Sequence, residues 1–250
     1  MSRGVLITGA SRGIGRAIAT AFAAQGDRIA VHCASRPDEA QRTVRALPGS
    51  GHLLLQADIA EPAQVERLVT DAVTGLGGID VLVNNAAVMT PHPPAITSYA
   101  DWQAAWRSTI NVNLLGAANV SHQVAAHLID RGAAGRIVNV GSRGAFRGEP
   151  DHPAYAASKA ALHALGQSRA VSLAPHGIAV ASVAPGFVAT ERVADRLSGQ
   201  QGEDIRTQSP FGRVAAADEV ASAVVYLASP EATWSSGAVL DVNGASYLRT

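Results

Sequence analysis

The sequence predicts an α/β fold, a doubly wound parallel sheet of about seven strands flanked by helices on both faces. Three observations carry that prediction. Short β-rich runs alternate with longer helical patterns along almost the whole chain, the pattern of βαβ units. Most of the β-rich runs are continuously apolar rather than alternating, as parallel strands covered on both faces require. Glycine is plentiful (24 residues) and aromatics make up only 4% of the chain, a composition suited to helices packed closely on a sheet.

Taken in order, Val5–Ile7 is the first strand and a helix follows from Ile14 to Ala24. Arg28–Cys33 and His52–Gln56 read as the second and third strands. Ile79–Val83, Gly135–Val140, Ile178–Val183 and Ala238–Val242 complete the seven. Between them the helical periodicity predicts helices over Ala63–Thr74, Asp101–Arg131, Ala154–Ala174 and Asp218–Ala228. No repeat, charge block or long linker divides the chain, so residues 1–250 read as one domain. Ala189–Phe211 is polar and weakly periodic. It suits either a mobile substrate lid or a plain surface connection, and both readings stay open.

Twenty basic residues balance twenty acidic ones, which gives no general attraction to nucleic acid or to an anionic membrane. No apolar run approaches the ~18 residues that span a bilayer. The start, Met1-Ser2-Arg3-Gly4, leads directly into a strand and carries no cleavable leader pattern. The single cysteine, Cys33, fits a reducing compartment and is expected as a small buried strand residue. These features predict a cytoplasmic protein. The eight histidines are scattered and form no Cys/His cluster, so no metal site is expected.

Directly after the first strand comes Thr8-Gly9-Ala10-Ser11-Arg12-Gly13-Ile14-Gly15. Glycines permit a tight turn and close ligand approach, and the helix that follows offers free N–H groups and a positive dipole end to a pyrophosphate. The spacing Thr-Gly-x-x-x-Gly-x-Gly resembles the short-chain dehydrogenase/reductase family, which implies a single Rossmann-type dinucleotide-binding domain. The resemblance covers essentially the whole chain. Asn84-Asn85-Ala86-Ala87 is similar to the family's Asn-Asn-Ala-Gly, with Ala87 replacing the glycine. Asp58, followed by Ile59, matches the position that meets the adenine. Pro185-Gly186-Phe187-Val188-Ala189-Thr190 looks like the segment that holds the nicotinamide amide. The implied cofactor-binding residues are therefore Gly9, Ser11, Arg12, Gly13, Ile14, Gly15, Arg36, Asp58, Ile59, Asn85, Ala86, Tyr155, Lys159, Pro185, Gly186, Val188 and Thr190.

The second strand ends in Val31-His32-Cys33-Ala34-Ser35-Arg36, with no carboxylate to take the ribose hydroxyls as in NAD-using relatives. Asp38 and Glu39 lie farther on and suit the opening of the next helix. Arg12 and Arg36 could supply fork-shaped donors to a 2′-phosphate, so NADP(H) is favoured over NAD(H).

Tyr155 and Lys159 stand four apart on one helical face, thirteen residues after Ser142. This Ser…Tyr-x-x-x-Lys spacing is the family's catalytic signature. A carbonyl being reduced gathers negative charge on oxygen and needs a proton. A free tyrosine titrates near ~10, and a neighbouring ammonium favours its phenolate. Tyr155 is thus the expected acid in reduction and base in oxidation. Lys159 would tune it and, by resemblance, hold the nicotinamide ribose; Ser142 would bond the substrate oxygen. Asn113, directly before Leu-x-Gly, matches the asparagine that positions a proton-relay water better than Asn111 does.

His152, Arg143, Phe146 and Arg147 lie close enough to the signature in sequence to face a substrate. Trp102 and Trp106, at i and i+4, read as packing residues. Across its length the chain is most similar to 3-oxoacyl-[acyl-carrier-protein] reductases, on the pattern Gly212-Arg213-Val214…Glu219-Val220-Ala221 with Tyr226-Leu227-Ala228-Ser229. The resemblance implies NADPH-dependent reduction of a 3-oxoacyl thioester in fatty acid biosynthesis. It also implies a homotetramer, to which Asp241-Val242-Asn243-Gly244-Ala245 would contribute with Ala245 in place of the usual glycine. Arg131 and Arg169 could meet an acidic acyl carrier protein, and a solvated helix surface explains them equally well. The alternatives are an alcohol, sugar or steroid dehydrogenase and, from another class, an NADP-sensing regulator without turnover.

Overall fold

A computed structural model describes residues 2–191 and 193–249. The strands β1 (Gly4–Ile7), β2 (Arg28–Cys33), β3 (Leu53–Gln56), β4 (Val81–Asn84), β5 (Gly135–Val140) and β6 (Ile178–Pro185) follow one another in the chain. Two short strands come next, β7 (Val188–Ala189) and β8 (Ala215–Ala216), and then β9 (Val239–Val242). All but the short pair form a single parallel sheet in the order β3-β2-β1-β4-β5-β6-β9. The order reverses direction between β1 and β4, where Val5 pairs with Ile29 on one side and Val81 on the other. In such sheets ligands bind outside the carboxyl ends of the strands at this reversal.

Helices α1 (Gly13–Ala24), α2 (Pro37–Ala46), α3 (Pro62–Leu76), α4 (Tyr99–Ile110), α5 (Ala117–Asp130), α6 (Gly144–Arg147), α7 (Pro153–Leu173), α8 (Gly199–Arg206) and α9 (Ala217–Leu227) connect the strands. The two-residue period of the strands divides the core into two layers. Val5, Ile7, Ile29, Val31, Val81 and Val83 face α1, α2 and α9, where Phe22, Ala40 and Val224 meet them. Leu6, Ala30, Leu82 and Ile137 face the other way, onto α3 and α5. Because both faces are covered, these strand residues are almost completely buried. Each large apolar side chain so placed contributes about 1.5–3 kcal/mol.

The expected helix Asp101–Arg131 is found as a continuous run. It opens at Tyr99, where the Asp101 N–H donates to Ser98 Oγ at 3.2 Å, and closes at Asp130. Its middle, Asn111–Gly116, is a π-helical turn. Such turns insert a residue into the 3.6 period and often mark functional positions. The segment expected as a lid or connection at 189–211 is more ordered than its sequence suggests. It contains a 3₁₀ turn at Asp195–Leu197 and the helix α8. Parallel pairing of β7 with β8, Val188 with Ala215 and Ala189 with Ala216, ties together the two ends of the excursion.

Ala245 adopts φ +56°. A side chain there clashes with its own backbone at a cost of roughly 1–2 kcal/mol, and glycine avoids that cost while gaining freedom in the unfolded chain. Ala245→Gly is expected to raise stability by about 0.5 kcal/mol net of that unfolded-state entropy. Urea unfolding of the two chains checks this; an unchanged or lower midpoint would show that the turn carries no strain.

Candidate active site

The site is assembled where β1, β2, β4, β5 and β6 end. After β1 the chain turns at Gly9, whose φ is +65° and whose Cα faces Ala86 so closely that a Cβ would lie 2.8 Å from the Ala86 Cα. No other residue fits both requirements. The turn is held against the end of β4 by a clasp of side chains. Asn85 Nδ2 donates to the carbonyls of Thr8 and Gly9 at 3.0 and 2.9 Å, while Thr8 Oγ1 accepts the amides of Asn85 and Ala86 at 3.0 and 3.1 Å. A Cβ on Gly15 would lie 2.5 Å from the Asn85 amide nitrogen. Helix α1 thus begins against the clasp with its unpaired N–H groups at the turn, an arrangement that suits an anion.

Strand β5 ends at Val140 and delivers Ser142 two residues later, with Ser142 Oγ accepting the Gly144 N–H at 3.0 Å. Helix α7 brings Tyr155 and Lys159 to the same place. Lys159 is 2% exposed; its Nζ donates to the Val140 carbonyl at 2.7 Å and stands 5.7 Å from the centre of the Tyr155 ring. The β5 carbonyl therefore fixes a buried cation beside the tyrosine.

A cavity of about 650 Å³ joins these features, a size suited to a cofactor with its substrate. Every residue expected at the cofactor lines it, from Gly9 to Thr190, as do Ser142, Tyr155 and Lys159. Asn113 does not. It is buried in the π-helical turn, where Oδ1 accepts the Val88 N–H at 2.8 Å and Nδ2 donates to the Val88 carbonyl and to Ser158 Oγ, both at 3.0 Å. Its side chain supports the cavity wall at Val88 and the helix that carries Tyr155. Asn111 is exposed. Arg12 and Arg36 both line the cavity, and Arg36 is paired with Glu39 at 3.0 Å.

Of the four residues that proximity to the signature put forward, Arg143 lines the cavity; His152, Phe146 and Arg147 are not among the lining residues. Arg143 is 4% exposed and donates to Ser246 Oγ and to Gln208 Oε1, tying the Ser142 turn to the end of the 189–211 segment and to the C-terminal stretch. Sequence reading did not single out Glu149, Val193 and Arg196, which line the cavity together with Phe187 of the Pro185–Thr190 segment. Burial pushes the Glu149 carboxyl up, against the pull of Arg143, Arg147 and Arg196. No spacing in the chain signals these residues, because folding alone brings them together. It also missed His32, another lining residue. Cys33 ends β2, buried as expected, and burial pushes its thiol up. Trp102 and Trp106 pack edge-on against the buried ring of His92 at 5.3 and 6.5 Å. Arg131 and Arg169 are engaged internally, with Asp80 and the Ala118 carbonyl. Among the described residues no group of three or more His, Cys, Asp or Glu side chains is placed to hold a metal ion, and no helix is long and apolar enough to cross a membrane.

A doubly wound parallel sheet with a glycine turn at its switch point and a Ser-Tyr-Lys cluster beside it defines a dinucleotide-dependent oxidoreductase. The comparisons agree. A family model described as enoyl-(acyl carrier protein) reductase matches residues 9–245. The 3-oxoacyl-[acyl-carrier-protein] reductase of Staphylococcus aureus is 33% identical over 250 residues, 99% of each chain. The L-rhamnose 1-dehydrogenase (NAD(P)(+)) of a Sphingomonas strain is 35% identical over 98% of this chain and 96% of its own. Among solved structures, acetoin dehydrogenase of Salmonella typhimurium superposes with a TM-score of 0.83 at 29% identity, covering 98% and 97% of the two chains. The chain belongs to the short-chain dehydrogenase/reductase family. It is an oxidoreductase acting on carbonyl and hydroxyl groups with a nicotinamide cofactor.

Under the Ser142 turn lies His163, 4% exposed and stacked on Phe146 at 5.1 Å, with neither ring nitrogen hydrogen-bonded among the described residues. A Cβ at Gly141 would overlap its Nε2, so the turn passes directly over the ring. Burial, reinforced by Lys159 and Arg249, lowers its pKa from 6.5 to about 4. The unfolded chain therefore takes up this proton near pH 6.5 and the folded chain only near pH 4. The stability tied to the neutral ring is fully present above pH 6.5 and is lost as pH falls toward 4, by up to about 3 kcal/mol. Urea unfolding between pH 7 and 4.5 should show a shallower decline for His163→Leu than for the native chain; parallel declines would refute it.

Proposed function

We propose that this protein is an NADPH-dependent carbonyl reductase that converts a 3-oxoacyl thioester to the 3-hydroxyacyl form. The observation that carries the reading is the buried Lys159 ammonium, anchored on the Val140 carbonyl beside Tyr155, in the cavity that also holds Ser142 and the glycine turn. The cavity fits a dinucleotide: the turn at Gly9 and Gly15 has no room for side chains, and α1 presents its N-terminus there. Gly9, Ser11, Gly13, Ile14 and Gly15 would hold the pyrophosphate and Asp58 with Ile59 the adenine. Asn85 and Ala86 would flank the cofactor at the switch point. Pro185, Gly186, Val188 and Thr190 would hold the nicotinamide end.

The cofactor, when bound, supplies a hydride to the carbonyl carbon. Ser142 donates a hydrogen bond to the carbonyl oxygen and stabilises the charge gathering there. Tyr155 gives that oxygen its proton. Lys159 stabilises the phenolate left behind, since a cation held close favours the charged form of its neighbour, and it would also hold the cofactor's ribose. Asn113 acts from behind, fixing Val88 and Ser158, and carries the site for a relay water that returns a proton to the tyrosine. The 189–211 segment closes over the substrate as a lid. The same reading takes thioesters, free or on an acyl carrier protein, as substrates, and a cytoplasmic homotetramer as the working form. One domain, residues 1–250, carries the whole activity.

A second reading rests on the wall itself. Arg143, Glu149 and Arg196 make the substrate end of the cavity more charged than an alkyl chain requires, which favours a small polar alcohol or sugar oxidised in the reverse direction. The rhamnose and acetoin dehydrogenases among the similar proteins support it. The Ser142, Tyr155 and Lys159 set argues for turnover over a purely cofactor-sensing role.

Loss of reduced-nicotinamide absorbance with acetoacetyl thioester separates the readings. Consumption of NADPH with this substrate is expected; turnover only with a sugar or acetoin would shift the assignment to the second reading. Tyr155→Phe should lower turnover by at least about a hundredfold while NADPH still binds, and survival of catalysis would refute the mechanism. Joint Arg12→Ala and Arg36→Ala should weaken NADPH by about tenfold or more relative to NADH. Equal loss of both cofactors would remove the arginines from 2′-phosphate recognition.

A further inference from the structure

His32 is the next-to-last residue of β2, 1% exposed, at the wall of the cavity. Its ring lies between two loops that the proposed function assigns to the dinucleotide. Nδ1 accepts the Gly9 N–H at 3.0 Å, and Nε2 lies 2.9 Å from the Ala57 carbonyl. A carbonyl can only accept, so Nε2 carries the proton, and an amide N–H can only donate, so Nδ1 is bare. The two contacts together permit one state of the ring, neutral with its proton on Nε2. The main chain of the same residue completes the grip, because the His32 carbonyl accepts the Ala10 N–H at 2.9 Å. One residue thus takes two consecutive amides of the glycine turn. It also anchors the residue directly before Asp58 and Ile59.

We propose that His32 is a positioning residue for the cofactor, holding the phosphate-binding turn and the adenine-side loop in fixed register through its neutral Nε2–H tautomer. The proposal rests on the dinucleotide reading of the cavity. A packed core histidine needs no such pair of partners; here both nitrogens are spent on backbone groups of the two loops. Burial lowers the proton affinity of the ring, outweighing the opposing effects of the Ala57 hydrogen bond and of Asp58, so the neutral form is the ordinary one. A proton on Nδ1 would set one N–H against another at Gly9.

The test is cofactor affinity, read by NADPH fluorescence titration of the full chain, alongside kcat at saturating cofactor. Asparagine places an acceptor near the position of Nδ1 and glutamine a donor near Nε2, whereas leucine removes both. His32→Asn should bind NADPH within about threefold of the native chain, and His32→Leu about tenfold or more weakly, as expected when a buried amide loses its acceptor. His32→Gln, which keeps the volume and the Ala57 contact but not the Gly9 acceptor, should fall with leucine and serves where leucine impairs folding. In all three, kcat at saturation should change by less than about threefold, since Tyr155 and Lys159 are untouched. Equal affinity across the Asn and Gln variants, or a loss in kcat that matches the loss in affinity, would overturn the proposal. Failure of the native chain to bind NADPH or NADH would overturn the dinucleotide reading, and this proposal with it.

Discussion

The site depends on two loops from non-adjacent stretches of chain approaching to backbone contact at the switch point. The turn after β1 and the turn after β4 lie so close that Gly9 cannot carry a side chain, and four hydrogen bonds between Thr8, Gly9, Asn85 and Ala86 hold them there. Parallel strands impose this geometry. Pairing β1 with β4 brings their carboxyl ends together and leaves the next amides and carbonyls without a ladder partner. Asn85 and Thr8 supply the missing partners from side chains, and the opening above them is where a ligand can reach bare backbone.

The remaining features extend that arrangement outward. The β5 carbonyl at Val140 restrains Lys159, and the compact turn over His163 delivers Ser142. The π-helical turn allows Asn113 to grip Val88 from a helix that otherwise faces the core on α3 and α7. Ser142, Lys159 and Asn113 are thus each held by a main-chain group of a strand end or of the loop beyond it. A rigid sheet with short exits can hold such contacts to within tenths of an ångström, as preorganised chemistry demands.

Much of this was legible in the sequence because the information is local. Continuous apolar strands, a glycine turn after the first of them, and a tyrosine and lysine one helical turn apart are all local patterns. The π-helical turn was not legible, since inserting one residue into a helix leaves the apolar stripe nearly unchanged. Helix α8 escaped notice because Gly199 and Gly202 disfavour a helix and no apolar stripe runs along it, with only Gly202 and Ile205 buried. Of the charged wall, Arg143 stands beside Ser142 in sequence, but Glu149 lies beyond α6 and Arg196 in the later 3₁₀ turn, so no spacing announces those two. His32 was hidden differently: within a buried strand a histidine looks like an ordinary interior residue until its two partners are seen.

The pairing of β7 with β8 has a consequence for how such a protein can diversify. Because Val188 and Ala189 lie directly against Ala215 and Ala216, the excursion between them leaves and re-enters the body of the protein at a single point. The entropy of closing such a loop grows only with the logarithm of its length. Insertions and deletions within it therefore add little to the cost of folding, and the sheet need not move. The ladder makes the excursion a cassette, whose length can change while the strands that anchor it stay paired.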